Sequence, residues 1–342
     1  MDKAPGKQRQ TNWRSLLAAA ANLRGLLALV VVIALGVLFT PRNLETGHSI
    51  FLTWQTQSDI LFEYSEYGLL ACGMTLVILT GGIDLSVGSI VGFAATLFAL
   101  LLIGHGWGVG AAAGACLAAG ATAGLVNGVL ISRFRMQPFV ATLAMMVAAR
   151  GAAKVISGGI KVQPAARDWY ALQEGSPPVF DWLTTSLPWV RIQPATLLFL
   201  LAIVIMTVVV RYTSFGRRLY AVGGSEEAAR LSGIRVPQIK IWAYSLCAFF
   251  AALAGLINAS RISIGDPEAG FTYELDAIAA VVIGGTTLNG GQGGMGLTFV
   301  GVLIIAYINK ILSLNAVPEP WRLLAKGLII VVAVLIQQRR KA

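Results

Sequence analysis

Charge is scarce in this chain. Only 12% of its 342 residues are Asp, Glu, Lys or Arg, about half the share of an ordinary soluble domain. With 56% of residues hydrophobic, that scarcity excludes a water-soluble globule and leaves an integral membrane protein. The two histidines, His48 and His105, lie far apart in predicted loops, and Cys72, Cys116 and Cys247 all fall inside apolar runs. Neither a metal centre nor a disulfide framework is expected from them. The chain also has no G-x-x-x-x-G-K-[ST] loop, which excludes ATP hydrolysis by that route. No nucleophile and base occur at workable spacing, so no catalytic residue is assigned and a membrane enzyme is set aside. The net charge of +10 is spread in short blocks and no nucleic-acid motif accompanies it, so a nucleic-acid partner is not expected.

What the chain does have is long apolar sequence with two conspicuous interruptions. The first is GMTLVILTGGIDLSVGSI at 73–90, where two glycines, an aspartate and two serines break an apolar run. A carboxylate there is costly to bury, so Asp84 is expected at a helix end, against protein, or in a wet cavity. Two readings stand: Asp84 faces a solute pathway with Ser86, or it caps a helix. The second interruption, GGTTLNGGQGGMG at 284–296, carries Asn289 and Gln292 and lies in the other half of the chain. Paired Gly-broken hydrophobic segments in two halves point to a transporter with an internal repeat. The structural alternative is that these glycines only permit tight turns and close helix contact.

The predicted architecture is all-α and polytopic, with about ten transmembrane helices. The spans are 26–39, 60–80, 90–103, 109–131, 139–156, 194–210, 241–258, 274–283, 297–312 and 321–336. The first is read as an uncleaved helix, since no small-x-small site follows it. Trp13, Leu16 and Leu17 before it suit either an interfacial helix or an irregular tail. Residues 274–283 are too few to cross, because about 20 helical residues are needed; the Gly-rich stretch after them is expected to complete the passage. The inside segments, residues 1–24, 132–137, 211–240 and 339–342, hold sixteen Lys or Arg. The outside loops hold five: Arg42, Lys161, Arg167, Arg191 and Arg261. This asymmetry puts both termini in the cytoplasm. Spans 2–5 and 7–10 then have opposite orientation, as an inverted repeat requires. The permease body is 25–338, flanked by basic tails at 1–24 and 339–342, with 211–240 a cytoplasmic coupling loop.

Particular residues stand out along these spans. Glu63 and Glu66, with Tyr64 and Tyr67, sit at the outer end of span 2, either lining a vestibule, meeting a partner, or ending a helix in water. Span 4 repeats the G-x-x-x-G spacing at Gly110 and Gly114, Gly120 and Gly124, and Gly124 and Gly128, a face for close helix packing. Pro138 opens span 5 at a favourable first-turn position. Thr142 follows within it, and Arg150 and Lys154 near its far end either snorkel or pair with acids across the bundle. The connection 157–193 is rich in Trp and is expected at the external membrane surface. Within 211–240, GGSEEAARLSGI reads as a short helix. Ser225 caps it, Glu226 and Glu227 suit its positive end, Ala228, Ala229, Arg230, Leu231 and Ser232 continue it, and Gly233 stops it. At about two turns it needs something to dock on.

Four stretches together carry a family resemblance: GMTLVILTGGIDLSVGS at 73–89, QPFVATLAMM at 137–146, TSFGRRLYAVGGSEEAARLSGI at 213–234 and ELDAIAAVVIGGTTLNGGQGG at 274–294. They closely resemble the ribose-type permeases of bacterial ABC sugar importers, within the branched-chain amino acid/ribose permease family. The likeness implies a non-catalytic permease subunit in the bacterial inner membrane that passes a monosaccharide, a pentose, hexose or related sugar. It implies a second permease subunit, identical or not, a periplasmic sugar-binding protein, and cytoplasmic ATPase subunits that carry the ATP and Mg. The helix at 225–233 is then expected to dock on the ATPase. The acidic and aromatic end of span 2 and the Trp-rich external loop depart from the family pattern. The rival reading is a self-contained secondary transporter or channel for a small polar solute, with Asp84, Glu274 and Asp276 as ion sites, although it gives the short helix no purpose.

Overall fold

A computed structural model describes residues 13–42, 47–164 and 177–338. The basic residues of 1–12 and 339–342, together with Arg167 and Trp169, lie outside the described residues. Among those described there are fourteen α-helices and no strand, only isolated bridges at Arg42–Ser49 and Val162–Gly265. We number the helices α1 (Trp13–Phe39), α2 (Trp54–Glu63), α3 (Ser65–Leu79), α4 (Val87–Ala99), α5 (Val109–Ser132), α6 (Pro138–Ser157), α7 (Pro178–Thr184), α8 (Pro194–Tyr212), α9 (Ser214–Gly224), α10 (Glu226–Leu231), α11 (Val236–Ile262), α12 (Tyr273–Gly284), α13 (Met295–Leu314) and α14 (Glu319–Gln338). The molecule is a polytopic all-α membrane protein. Six of these helices are long and apolar enough to cross a bilayer: α4 with the π-helical turn that extends it to Gly104, α5, α6, α8, α11 and α13. The apolar stretch 25–39 of α1, and α3, are shorter. α1 begins at Trp13, so Trp13, Leu16 and Leu17 belong to one helix with the first apolar span.

α11 is the axis of the fold and packs on α3, α4 and α5. Its contact faces are paved with small residues, among them Ala248, Ala251, Ala252 and Gly255, all buried. α5 meets it through glycine: a Cβ on Gly120 would lie 2.5 Å from that of Ala252, and one on Gly128 would lie 2.6 Å from the Ile241 Cα. Gly124 is pressed on Tyr244 and Ser245 in the same way. In lipid, where no hydrophobic force drives helices together, such close backbone approach supplies the dispersion energy that joins them. Gly110 and Gly114 correct the expectation for the whole glycine series. Both are exposed, and a Cβ on either would meet nothing within 4 Å among the described residues, because α5 rotates its first two turns of glycine away from α11.

Helix pairing has a reciprocal form. α11 packs on α4 and α5, while α3 packs on α12 and α13; α4 pairs with α6, and α12 with α14; α3 and α11 meet each other at the centre. Exchanging α3–α6 for α11–α14 therefore maps these pairings onto themselves.

The short span at 274–283 forms α12, and the Gly-rich stretch after it folds as the loop 285–294. The chain before it, residues 263–272, descends beside α4: Gly265 lies against Ala95, Thr96 and Ala99, and Gly270 against Gly88 and Val91. Seven residues of helix separate Gly88 from Ala95, about 10 Å of depth. Arg150 of α6 holds this segment, its Nη1 donating to the carbonyls of Pro267 at 2.5 Å and Ala269 at 2.7 Å. Arg150 thus serves backbone oxygens that a helix would have satisfied internally. Lys154, one turn on, does pair with an acid, Glu268, at 2.6 Å.

The outer end of span 2 also differs from a helix end in water. Tyr64 breaks it into α2 and α3, with Glu63 ending the first and Glu66 in the first turn of the second. Glu63 is half exposed and pairs with Lys310 at 3.1 Å. Glu66 is fully buried between Arg261 Nε at 3.1 Å and Asn258 Nδ2 at 2.9 Å. The end of α11 brings both partners, and a buried carboxylate needs them.

Candidate functional site

The sequence-predicted short helix stands at one end of the molecule, beside α9. Ser225 Oγ accepts from the Ala228 amide at 3.2 Å and caps α10. Glu227 pairs with Arg230 at 2.8 Å and Glu226 with Lys240 at 2.6 Å. Gly233, at φ +78°, turns the chain out of the helix. Ala229 is the buried contact of this six-residue helix, which packs on α9 and α11. Ser225, Glu226, Glu227, Ala228, Arg230, Leu231, Ser232 and Gly233 are exposed, Leu231 by 79%. Two turns without tertiary support would not persist in water; docked, they project an apolar tip ringed by charge. Beside them Arg218, Ser232, Ile234, Arg235 and Gln238 line an open cleft of about 550 Å³.

Asp84 lies in the turn between α3 and α4 and is completely buried. Its Oδ1 accepts from the Ser86 amide at 2.9 Å and from Ser86 Oγ at 2.5 Å, a local turn that leads the chain into α4. Asn127 Nδ2 of α5 donates to Ser86 Oγ at 3.1 Å, and Thr142 Oγ1 of α6 reaches the Ile83 carbonyl at 3.4 Å. Asp84 Oδ2, Asn127 Oδ1 and the Tyr244 hydroxyl are buried with no partner among the described residues. One carboxylate oxygen thus organises the turn and the other is held in the interior without a protein donor. Asp84, Ser86 and Thr142 are brought together, whereas Asn289 and Gln292 stand apart from them, exposed on the loop 285–294.

That loop nonetheless reaches the end of α3. The Gly291 amide donates to the Leu79 carbonyl at 3.0 Å, and Tyr220 Oη of α9 donates to the Gly293 carbonyl at 2.9 Å. Both glycine-broken stretches therefore lie at the α10 end of the protein, in contact with each other.

Comparison with known proteins assigns this arrangement to a family. The model of the branched-chain amino acid transport system / permease component family matches residues 57–334, which include α3 through α13 and both broken stretches. The chain belongs to this family. It is 38% identical to the ribose import permease protein RbsC of Bacillus subtilis (strain 168) over 338 residues, covering 98% of each chain. It is also 38% identical to RbsC of Escherichia coli (strain K12) over 320 residues, covering 93% of this chain and 94% of the relative. The L-arabinose ABC transporter permease protein AraH of Azospirillum brasilense is 36% identical over 312 residues, 91% of this chain and 87% of the relative. No solved structure matches the chain.

Within this permease, several residues at the site carry no signal in sequence. Asn127 and Tyr244 look like ordinary members of apolar helices until α5 and α11 bring them to the Asp84 turn. Tyr220 and Gly223 sit in a stretch that reads as a basic loop, and only α9 shows that they face the two glycine-broken segments. A polar residue inside a small-residue helix, such as Asn127 among the glycines of α5, is the one clue that was available, since such residues rarely face lipid.

Proposed function

We propose that the chain is the membrane permease subunit of an ATP-binding-cassette importer that passes a monosaccharide, with pentoses such as ribose, arabinose and xylose as the first candidates. The near full-length likeness to ribose permeases carries this reading. In it, α10 is the peg gripped by a cytoplasmic ATPase subunit, which binds the ATP and Mg that this chain has no loop to hold. The exposed Leu231 tip and the cleft lined by Arg218 and Arg235 are the contact offered to that partner. A second permease subunit completes the path, a periplasmic binding protein delivers sugar, and both termini lie on the α10 side, the cytoplasmic side of the inner membrane. All ten predicted spans cross the membrane, so that α3–α6 and α11–α14 are two oppositely oriented copies, and the reciprocal helix pairing supports that. ATP-driven closure of the ATPases rocks the permeases between outward-open and inward-open states. The turn at Asp84, Ser86 and Thr142 lies beside the path, and Asn289 and Gln292 at its inner mouth.

Reconstitution tests the reading directly. Proteoliposomes holding the permease, ATPase and binding protein should accumulate ribose, arabinose or xylose only with ATP and all components present. Accumulation by this chain alone on an ion gradient would instead establish the secondary-transporter reading. Reversing Glu226 and Glu227 to Lys should abolish sugar-stimulated ATP hydrolysis while leaving the permease folded, since both glutamates are exposed and charges at such positions contribute about 1 kcal/mol or less each; unchanged stimulation would remove α10 from the ATPase contact.

A further inference from the structure

Three segments meet at the α10 end with their backbones in direct contact. α9 arrives with Gly223, α3 ends at Leu79–Gly81, and the loop 285–294 inserts Gly290 and Gly291 between them. A Cβ on Gly223 would collide with the Leu79 carbonyl oxygen and stand 2.5 Å from the Gly291 nitrogen. One on Gly290 would stand 2.8 Å from the Gly81 nitrogen and 3.0 Å from the Gly223 Cα. The bond from the Gly291 amide to Leu79 and that from Tyr220 to Gly293 tie the same three segments. Ser225, the cap of α10, follows Gly223 by two residues. On the other side, Gly81 leads through the Asp84 turn into α4, and Gly291 leads through Met295 into α13.

We propose that Gly223, Gly290 and Tyr220 are positioning residues that register α10 against both glycine-broken stretches, so that a displacement of α10 moves the Asp84 turn and the 285–294 loop together. This rests on the permease reading above and adds to it the route by which force enters the membrane domain. Side chains in contact can absorb a small shift by changing rotamer. Backbones packed directly on one another have no such slack, and close-packed protein transmits strain with little compression. The glycines are what permit that approach. Gly223 is the informative one: its backbone is helical, so alanine there is conformationally favourable and acts only as a wedge.

The test compares Gly223→Ala with Gly224→Ala in the assembled permease–ATPase–binding-protein complex. Gly224 is the next residue in α9, and a Cβ there meets nothing within 4 Å among the described residues. Gly223→Ala should lower sugar imported per ATP hydrolysed about ten-fold, while Gly224→Ala stays within about two-fold of wild type. Hydrogen exchange of the 285–294 segment should quicken in Gly223→Ala and not in Gly224→Ala. Equal import ratios and equal exchange in the two variants would overturn the proposal. If Gly223→Ala does not assemble, Tyr220→Phe decides: a lowered ratio with faster exchange at 285–294 supports the joint, and wild-type values for both overturn it. If the wild-type complex itself imports no sugar with ATP, the permease reading fails, and the joint is then judged by hydrogen exchange alone, with the same two outcomes.

Discussion

The joint of α3, α9 and the 285–294 loop and the cluster of contacts at the opposite end of the molecule are made by different physics. At the α10 end, α3, α9 and the 285–294 loop touch through glycine backbones, and no charged side chain among the described residues bridges them. At the opposite end, ion pairs and rings do the joining: Glu66 with Arg261, Glu63 with Lys310, Lys154 with Glu268, Lys161 with Asp266, and the tyrosine series 64, 67 and 273, whose rings follow one another at 5.2 and 4.4 Å. Ion pairs are tolerant of small displacements because Coulomb energy falls slowly with distance. Backbone contact is steric and changes over a fraction of an ångström. One end is thus suited to hold helices together while they tilt, and the other to pass a displacement on.

Substitutions that break one kind of contact but not the other sharpen this comparison. The largest effect is expected at the ion-pair end. Glu66→Ala should cost about 3 kcal/mol or more, because it strands Arg261 and Asn258, and thermal unfolding in detergent would register it as a large fall in midpoint. Adding Arg261→Met should recover much of the loss; a double variant no more stable than the single one would show that the pair is not what holds α3 to α11. Next comes the glycine packing of α5. Gly124→Leu should destabilise by about 1–3 kcal/mol through overpacking against Tyr244 and Ser245, whereas Gly114→Leu, on the open face, should leave yield and unfolding midpoint unchanged. Loss of folded protein from the Gly114 variant as well would mean that this face is covered in the assembled complex.

Smaller still is the Asp84 turn. Asp84→Asn keeps an acceptor for Ser86, so the folded protein should survive intact, and any fall in transport then reports on the free oxygen; Asp84→Ala should cost about 1 kcal/mol of stability by the same unfolding assay. If Asp84→Asn unfolds the protein, the carboxylate is structural and the pathway role is lost. The smallest change is expected at Lys154→Ala, whose pair with Glu268 has both side chains about half exposed; about 0.5 kcal/mol or less should be lost.

Much of this was legible in the residues. The pattern of apolar segments anticipated the long helices but not α7 or α9, the capped helix at 225–233 formed with Ser225 and Gly233 in their expected places, and three of the five span-4 glycines pack as their spacing implied. What could not be read was contact between distant segments. The four-residue spacing at Gly110 and Gly114 is the same as at Gly120 and Gly124, yet only the second pair meets α11, since periodicity gives a helix face but not what lies opposite. Glu66 reads as a charge at a water-facing end because its partners, Arg261 and Asn258, are nearly two hundred residues away. The packing of 263–272 along α4 is hidden for a similar reason: that stretch has polar loop chemistry, and Arg150, from α6, holds its carbonyls there.

Composition and periodicity alone determined that this chain lives in a membrane as a set of helices, because apolar length and the need to satisfy backbone groups internally leave no other form for it. Tertiary structure alone decided which end each interruption joins, which glycines touch, and where each buried charge finds its counterpart. Those outcomes depend on distances between segments remote in sequence, and a local pattern carries no information about them.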